Sequence, residues 1–311
     1  MHNLQTYKTA VVVNPVSANG TTRKRWDSLA AAFKDEELDF VYAFTERQNH
    51  ATELTRNFLK QGHNLIISVG GDGTANEVVN GFFTNGESTH KNAAVSFIST
   101  GTGRDLSRTI GIPADFNDAV RHIIKAPLRP IDVGKVSFTN YQGQKESRCF
   151  INIADLGLGG DTVARVNRTS KAFGGFVSFL WGTLASLFLY KNQKMTIIVD
   201  GETVCDEPIT IVVAGNGRFF GGGMCVAPNA VIDDGYFDII ILRDLSKLDL
   251  LMNLPKVYGG KHLGHPRISS MRGKRIEIIS GENALLDIDG EQPGHAPVDI
   301  ELLPGAIKLK G

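Results

Sequence analysis

Only three cysteines, Cys149, Cys205 and Cys225, occur in the 311 residues, and none forms a C-x-x-C pair. This argues against a disulfide framework and a thiolate zinc site, and for a reducing, cytoplasmic compartment. A surplus of charge is missing too, since 33 Lys+Arg meet 33 Asp+Glu. General nucleic-acid binding is therefore not expected, because it depends on neutralising phosphates. None of the eight histidines stands in H-E-x-x-H or H-x-x-x-H spacing. The polar residues 1–9 lead straight into an apolar strand, so no signal peptide is expected. Long hydrophobic runs are rare. Residues 173–190 carry no charge, yet at 1.5 Å per residue they reach only about 27 Å. Gly174, Gly175, Ser178, Gly182, Thr183 and Ser186 dilute that stretch. A buried or interfacial helix is expected there, not a membrane span.

With 42% hydrophobic and 21% charged residues, the chain is a globular protein of about two domains. The first part alternates apolar runs (10–13, 40–44, 65–69, 94–98) with helical spacing such as Trp26, Leu29, Ala30, Phe33. That alternation predicts an α/β domain with a parallel sheet. After Pro130, strand-like runs at 150–154, 195–199, 209–214, 236–242, 275–279, 285–289, 298–303 and 306–309 predominate. Only two helical patterns, 173–190 and 245–258, interrupt them, and Asp200-Gly201 signals a type I′ hairpin. The expected organisation is an α/β domain at 1–135 and a predominantly antiparallel β-sandwich at 136–311.

The densest signal is Gly70-Gly71-Asp72-Gly73-Thr74, lying between a strand and a helix that carries Asn76. Its glycines allow close backbone approach and positive φ, and the helix start offers unpaired N–H groups, which suits a polyphosphate. No G-K-[ST] follows, and Asn76 stands where a dinucleotide loop would have its last glycine. A carboxylate beside phosphate is repulsive by about 4 kcal/mol at an effective dielectric of 20. A bound Mg²⁺ reverses that sign, so Asp72 suits a metal–nucleotide site.

Gly70–Thr74 with the following Asn76-Glu77-Val78-Val79-Asn80-Gly81 resembles the catalytic domain of the diacylglycerol kinase family, which includes bacterial lipid kinases and sphingosine kinases. Asn14-Pro15-x-Ser17 is similar to that family's first nucleotide loop, with the glycine delayed by Ala18-Asn19 to Gly20. Thr45 falls at a nucleotide-contacting position, and Gly101-Thr102-Gly103-Arg104-Asp105 resembles G-T-x-N-D, with Arg104 in place of asparagine. Ile131-Asp132-Val133-Gly134 resembles V-D-x-G, Asp233-Asp234-Gly235 the D-D-G stretch, and Asp289-Gly290-Glu291 the D-G-E motif. NAD kinases share the G-G-D-G-T core but not the D-D-G and D-G-E pair.

The resemblance implies an ATP-dependent lipid kinase that phosphorylates diacylglycerol or a related lipid alcohol at an interdomain cleft. Asn14, Ser17, Thr45, Gly70, Gly71, Asp72, Gly73, Thr74, Asn76 and Thr102 would hold the nucleotide. Asp289, Glu291 and Asp72 are the catalytic candidates. One of Asp289 and Glu291 would be the general base, and period-2 spacing in a strand would put both on one side. Asp105 and Asp132 would complete an acidic network, its charge partly offset by the Mg²⁺ that accompanies ATP. A structural Mg²⁺ is implied at Asp234 with the carbonyls of Val231 and Tyr236. A transient peripheral membrane contact, with 173–190 as the candidate surface, is expected; a homodimer is left open. The rival readings are a soluble-substrate kinase of NAD-kinase type and a non-catalytic nucleotide- or lipid-binding protein.

Overall fold

The computed structural model describes residues 7–84, 86–101, 103–169 and 188–311. Thr102 and nearly all of the 173–190 stretch lie outside them. The chain divides into two compact units, Met1–Val133 with Gly305–Gly311, and Gly134–Pro304.

The first unit alternates β1 (Thr9–Val13), α1 (Thr21–Asp35), β2 (Phe40–Phe44), α2 (His50–Lys60), β3 (Leu65–Gly70) and α3 (Asp72–Gly81). A short hairpin, β4 (Phe83–Thr84) with β5 (Glu87–Ser88), precedes β6 (Ala94–Ser99), α4 (Asp105–Ile110) and α5 (Phe116–Lys125). Strands pair in parallel in the order β2–β1–β3–β6. Every residue of β1 and β3 is buried, as expected for strands covered by helices on both faces. Lys308 and Leu309 add to this sheet by pairing in parallel with Ala94 and Val95. The last seven residues thus return to the first unit, which corrects the expected 136–311 domain.

The second unit holds β7 (Leu128–Asn140, which enters from the first unit), β8 (Lys145–Phe150), β9 (Ile153–Gly157), α6 (Leu158–Thr169), β10 (Gln193–Val199) and β11 (Glu202–Gly215). Then come β12 (Phe237–Arg243), α7 (Lys247–Tyr258), a 3₁₀ turn (His262–Gly264), β13 (Ile268–Gly273), β14 (Arg275–Ser280), β15 (Leu285–Ile288) and β16 (Glu291–Lys310). Its pairings are antiparallel, in the order β13–β12–β11–β10–β14–β16. β11 also pairs with β9, which pairs with β15, which pairs with β16. Inward side chains such as Phe150, Met195, Ile197, Phe237, Ile276 and Ile300 form one buried cluster. Phe150 and Phe237 stack at 5.6 Å between ring centroids.

Asp200 (φ 49°) and Gly201 (φ 88°) form the expected two-residue hairpin turn between Val199 and Glu202. Two sequence expectations change. The run at 150–154 is two strands, because the chain bends at Ile151-Asn152 between β8 and β9. α6 was not expected, since two glycines in its first turn weaken the helical signal.

Candidate active site

In the first unit β3 ends at Gly70, Gly71 is the N-cap of α3, and Asp72 begins the helix. None of Gly70, Gly71 and Gly73 has positive φ, contrary to the expectation for this loop. The glycines serve close packing instead. A Cβ on Gly70 would sit 2.5 Å from Thr74 Oγ1, whereas one on Gly71 would meet nothing within 4 Å. Gly71 lies against Gly101, so two glycine-bearing loops touch at bare backbone. The three-turn helix α3 then offers its N-terminal amides and the positive end of its dipole.

Among the other nucleotide candidates in this unit, Asn14, Ser17 and Thr74 form one network. Asn14 Nδ2 donates to Thr74 Oγ1 at 2.9 Å. Ser17 Oγ lies 2.7 Å from the Asn14 carbonyl and 2.9 Å from Thr100 Oγ1. Thr45 N donates to the Val13 carbonyl, which sets Thr45 at the end of β2 beside β1. The delayed glycine is absorbed by a left-handed turn in which Ala18, Asn19 and Gly20 all have positive φ, and Gly20 becomes the N-cap of α1. Asn76 is buried in α3 and accepts from Asn80 Nδ2 at 3.0 Å.

Asp72 turns toward the start of α4, where its carboxylate accepts the N–H groups of Leu106 (3.2 Å) and Asp105 (3.4 Å). Burial pushes its carboxyl up from the ordinary range; those amides and Arg108 pull weakly the other way. Such a desolvated, thinly satisfied carboxylate suits a neighbouring cation. Asp105 is buried and pairs with Arg108 at 2.9 Å. Asp132 is buried as well and accepts the Gly305 N–H at 2.7 Å.

In the second unit Asp289 (φ 49°) and Gly290 (φ 88°) are the two turn residues between the paired Ile288 and Glu291. Asp289 is therefore not in an extended strand, and the period-2 argument for Asp289 and Glu291 does not hold. The Asp289 carboxylate accepts three successive backbone amides at the bend after β8: Ile151 (3.0 Å), Asn152 (3.1 Å) and Ile153 (2.9 Å). Asp289 N returns a bond to the Ile153 carbonyl. Three converging amides make a concave anion site, here filled by the protein's own side chain. Glu291 opens β16, stays partly exposed, and pairs with Arg148 at 3.2 Å.

At the Asp233-Asp234-Gly235 turn, Asp234 Oδ1 accepts the Tyr236 N–H and Oδ2 pairs with the Arg272 guanidinium. Arg272 and Lys274 both lie over the Tyr236 ring, at 4.4 and 4.8 Å from its centroid. These neighbours do not suit a metal ion: a guanidinium already supplies the positive charge, and a second cation stands beside it. The Mg²⁺ implied at Val231, Asp234 and Tyr236 is not supported by this geometry.

Sequence reasoning missed Asp155 and Asp287, which face each other across β9 and β15 deep in the second unit. The available signal was an acidic residue inside an apolar run, in Asn152-Ile153-Ala154-Asp155-Leu156 and in Leu285-Leu286-Asp287-Ile288.

Known proteins agree with this architecture. Residues 8–136 match the diacylglycerol kinase catalytic domain, and residues 153–311 match the YegS C-terminal NAD kinase beta sandwich-like domain. By the match over more than half of its length this chain belongs to the family with the YegS C-terminal domain, here joined to a diacylglycerol kinase catalytic domain. Diacylglycerol kinase of Staphylococcus carnosus (strain TM300) is 27% identical, with 96% of this chain and 93% of the relative covered. That of Bacillus subtilis (strain 168) is 26% identical, over 92% and 90%. A crystal structure of a diacylglycerol kinase from Bacillus anthracis str. Sterne superposes with a TM-score of 0.68 at 25% identity, covering 97% of this chain and 96% of that one. Yeast NADH kinase complexed with NADH shares the fold alone, with a TM-score of 0.53 at 12% identity over 97% and 82%.

Proposed function

We propose that this family member transfers the γ-phosphoryl group of ATP to the hydroxyl of a lipid alcohol, diacylglycerol or a close relative. The observation that carries this reading is the clamped Asp289-Gly290 turn, which fixes the start of β16 where Glu291 stands. Phosphoryl transfer asks chiefly for alignment and charge stabilisation. Gly71 and the first turn of α3 approach the phosphates with bare backbone, and Asn14, Ser17 and Thr45 shape the wall beside them. Mg²⁺, arriving with ATP, would offset phosphate charge, and Asp72 is the carboxylate suited to hold it. Asp289 spends its oxygens on three amides and serves as the clamp. Glu291 is the group we assign to accept the lipid hydroxyl's proton, a role typically worth about 10²–10⁴-fold.

A lipid substrate calls for a surface that meets the membrane. Among the described residues no helix is long and apolar enough to cross one. α7 nonetheless exposes Leu248 (64%), Leu251 (46%) and Met252 (65%) on one face. An apolar face of this kind suits shallow seating in a headgroup layer, so we assign α7 to peripheral contact during turnover by a cytoplasmic enzyme. The deciding experiment incubates the protein with labelled ATP, Mg²⁺ and either diacylglycerol vesicles or NAD. Label is expected in the lipid phase. Label on NAD with none in lipid would overturn the proposal in favour of a soluble-substrate kinase.

A further inference from the structure

Asp155 and Asp287 are directly opposite on adjacent antiparallel strands, where Cβ atoms stand about 4.5–5.5 Å apart. Asp155 is 0% exposed and Asp287 5%. The Asp155 carboxylate lies at the start of α6. Among the described residues the Gly160 amide is its one backbone donor, and no side-chain donor meets either of its oxygens in good hydrogen-bond geometry. A buried acceptor short of donors is costly, and two ionised carboxylates at this spacing repel strongly. One retained proton removes the repulsion and gives Asp155 a donor for one of its oxygens. Asp287 is the natural holder, because Asp289 adds a second negative charge beside it. Burial pushes both carboxyls up from the ordinary range, that of Asp287 the further because Asp155 stands opposite. The packing keeps water out. Gly159 and Gly160 at the start of α6 seat directly on Asp155 and on the Leu285 carbonyl, where any Cβ would overlap.

Asp287 also reaches forward along the chain. Its Oδ1 accepts the Gly290 N–H at 2.8 Å, inside the turn that precedes Glu291. The turn is thus held from two sides, by Asp287 on Gly290 and by the 151–153 amides on Asp289. We propose that Asp287 is a positioning residue held as a carboxylic acid, its O–H donating to Asp155 while its other oxygen fixes the turn that delivers Glu291. No bond to substrate is involved. The inference rests on the kinase reading only for its effect on turnover; its effect on the turn is independent of that reading.

Asn is the neutral mimic of the acid: at position 287 its Nδ2–H donates to Asp155 and its Oδ1 still accepts from Gly290. In the full-length protein, Asp287→Asn and Asp155→Asn are expected to keep kcat toward diacylglycerol vesicles within about threefold. Asp287→Ala is expected to lower kcat at least about tenfold with KM for ATP nearly unchanged, as misplacement of a catalytic group does. Amide hydrogen exchange at Gly290 and Ile151–Ile153 supplies a readout without substrate. Exchange should accelerate in Asp287→Ala and stay at the wild-type rate in both Asn variants. Wild-type exchange in Asp287→Ala would overturn the positioning role. Asn variants as damaged as Asp287→Ala would overturn the shared proton and point to a bridging cation instead. If the wild type phosphorylates no lipid, the kinase reading fails while the exchange data still decide this one.

Discussion

The two units use the same pair of residue types, aspartate and glycine, to opposite ends. In the Gly70–Thr74 loop the glycines have ordinary negative φ and are there for closeness, while Asp72 is desolvated and held by two long amide bonds. In the Asp289-Gly290 turn both residues are left-handed and the carboxylate is saturated by three short ones. Motif matching treats the two alike. The hydrogen-bond inventory separates them: a carboxylate whose lone pairs are used holds the chain in place, and one left thinly satisfied is poised for an incoming cation or proton.

The sharpest way to break this contrast is to neutralise the carboxylates one at a time. Glu291→Gln should cut kcat by about a hundredfold or more with the urea midpoint unchanged, since its pairing with Arg148 is partly exposed. Asp289→Ala should do the reverse of a clean catalytic lesion. Three buried amides lose their acceptor, so stability should fall by about 2–4 kcal/mol alongside activity. Equal stability of the two variants in urea titrations would erase the distinction between clamp and base.

Asp72→Asn comes next. Turnover should drop by about tenfold to a hundredfold, because the cation loses its carboxylate, whereas the amide oxygen can still accept from Leu106, the shorter of the two bonds. The pH dependence has a definite sign. Burial raises the folded-state value of Asp72, so its contribution to stability is fully present below the ordinary Asp value of about 4 and fades as pH rises through the raised one. Asp72→Asn should flatten that part of the stability profile. An unchanged profile in thermal melts across this range would show that Asp72 ionises as it does in the unfolded chain.

How much of this was legible beforehand follows the same division. The parallel sheet was readable because β1 and β3 are buried on both faces and run as unbroken apolar stretches. The β7–β8 hairpin was not, since Ser137, Thr139, Lys145 and Ser147 dilute its apolar content. α6 was hidden by Gly159 and Gly160, whose presence answers to Asp155 and Leu285, residues distant from any helical rule. The loops around Gly71 and Asp289 could be located from sequence spacing. Which of Asp289 and Glu291 stays available could not, because the deciding amides belong to Ile151–Ile153, more than a hundred residues away in the chain.

Within the first loop, two neighbouring glycines allow a finer test. Gly70→Ala forces a Cβ to 2.5 Å from Thr74 Oγ1 and should cost about 1–3 kcal/mol. Gly71→Ala meets open space and should change stability by less than about 0.5 kcal/mol. If Gly71 is bare for the sake of a ligand, that same substitution should weaken ATP binding measured by calorimetry, while Gly70→Ala acts through folding. Comparable losses of stability in both would mean that the loop's glycines serve packing alone.

The smallest effect concerns Arg104, which adopts φ 56° and ψ 31° as the N-cap of α4. A left-handed conformation costs a non-glycine residue roughly 1–2 kcal/mol, less for asparagine, whose short polar side chain bonds locally. Among the described residues its Nε is buried with no hydrogen-bond partner. Strain and an unused donor at the loop beside Gly71 are costs that packing does not explain. Arg104→Asn should therefore raise stability by about 0.5–1 kcal/mol in urea titrations. If the guanidinium meets the nucleotide, the gain should come with weaker ATP binding, placing Arg104 with the poised Asp72 and not with the clamp at Asp289. A gain in stability with ATP affinity intact would make Arg104 a tolerated strain and leave the loop's backbone to hold the phosphates without it.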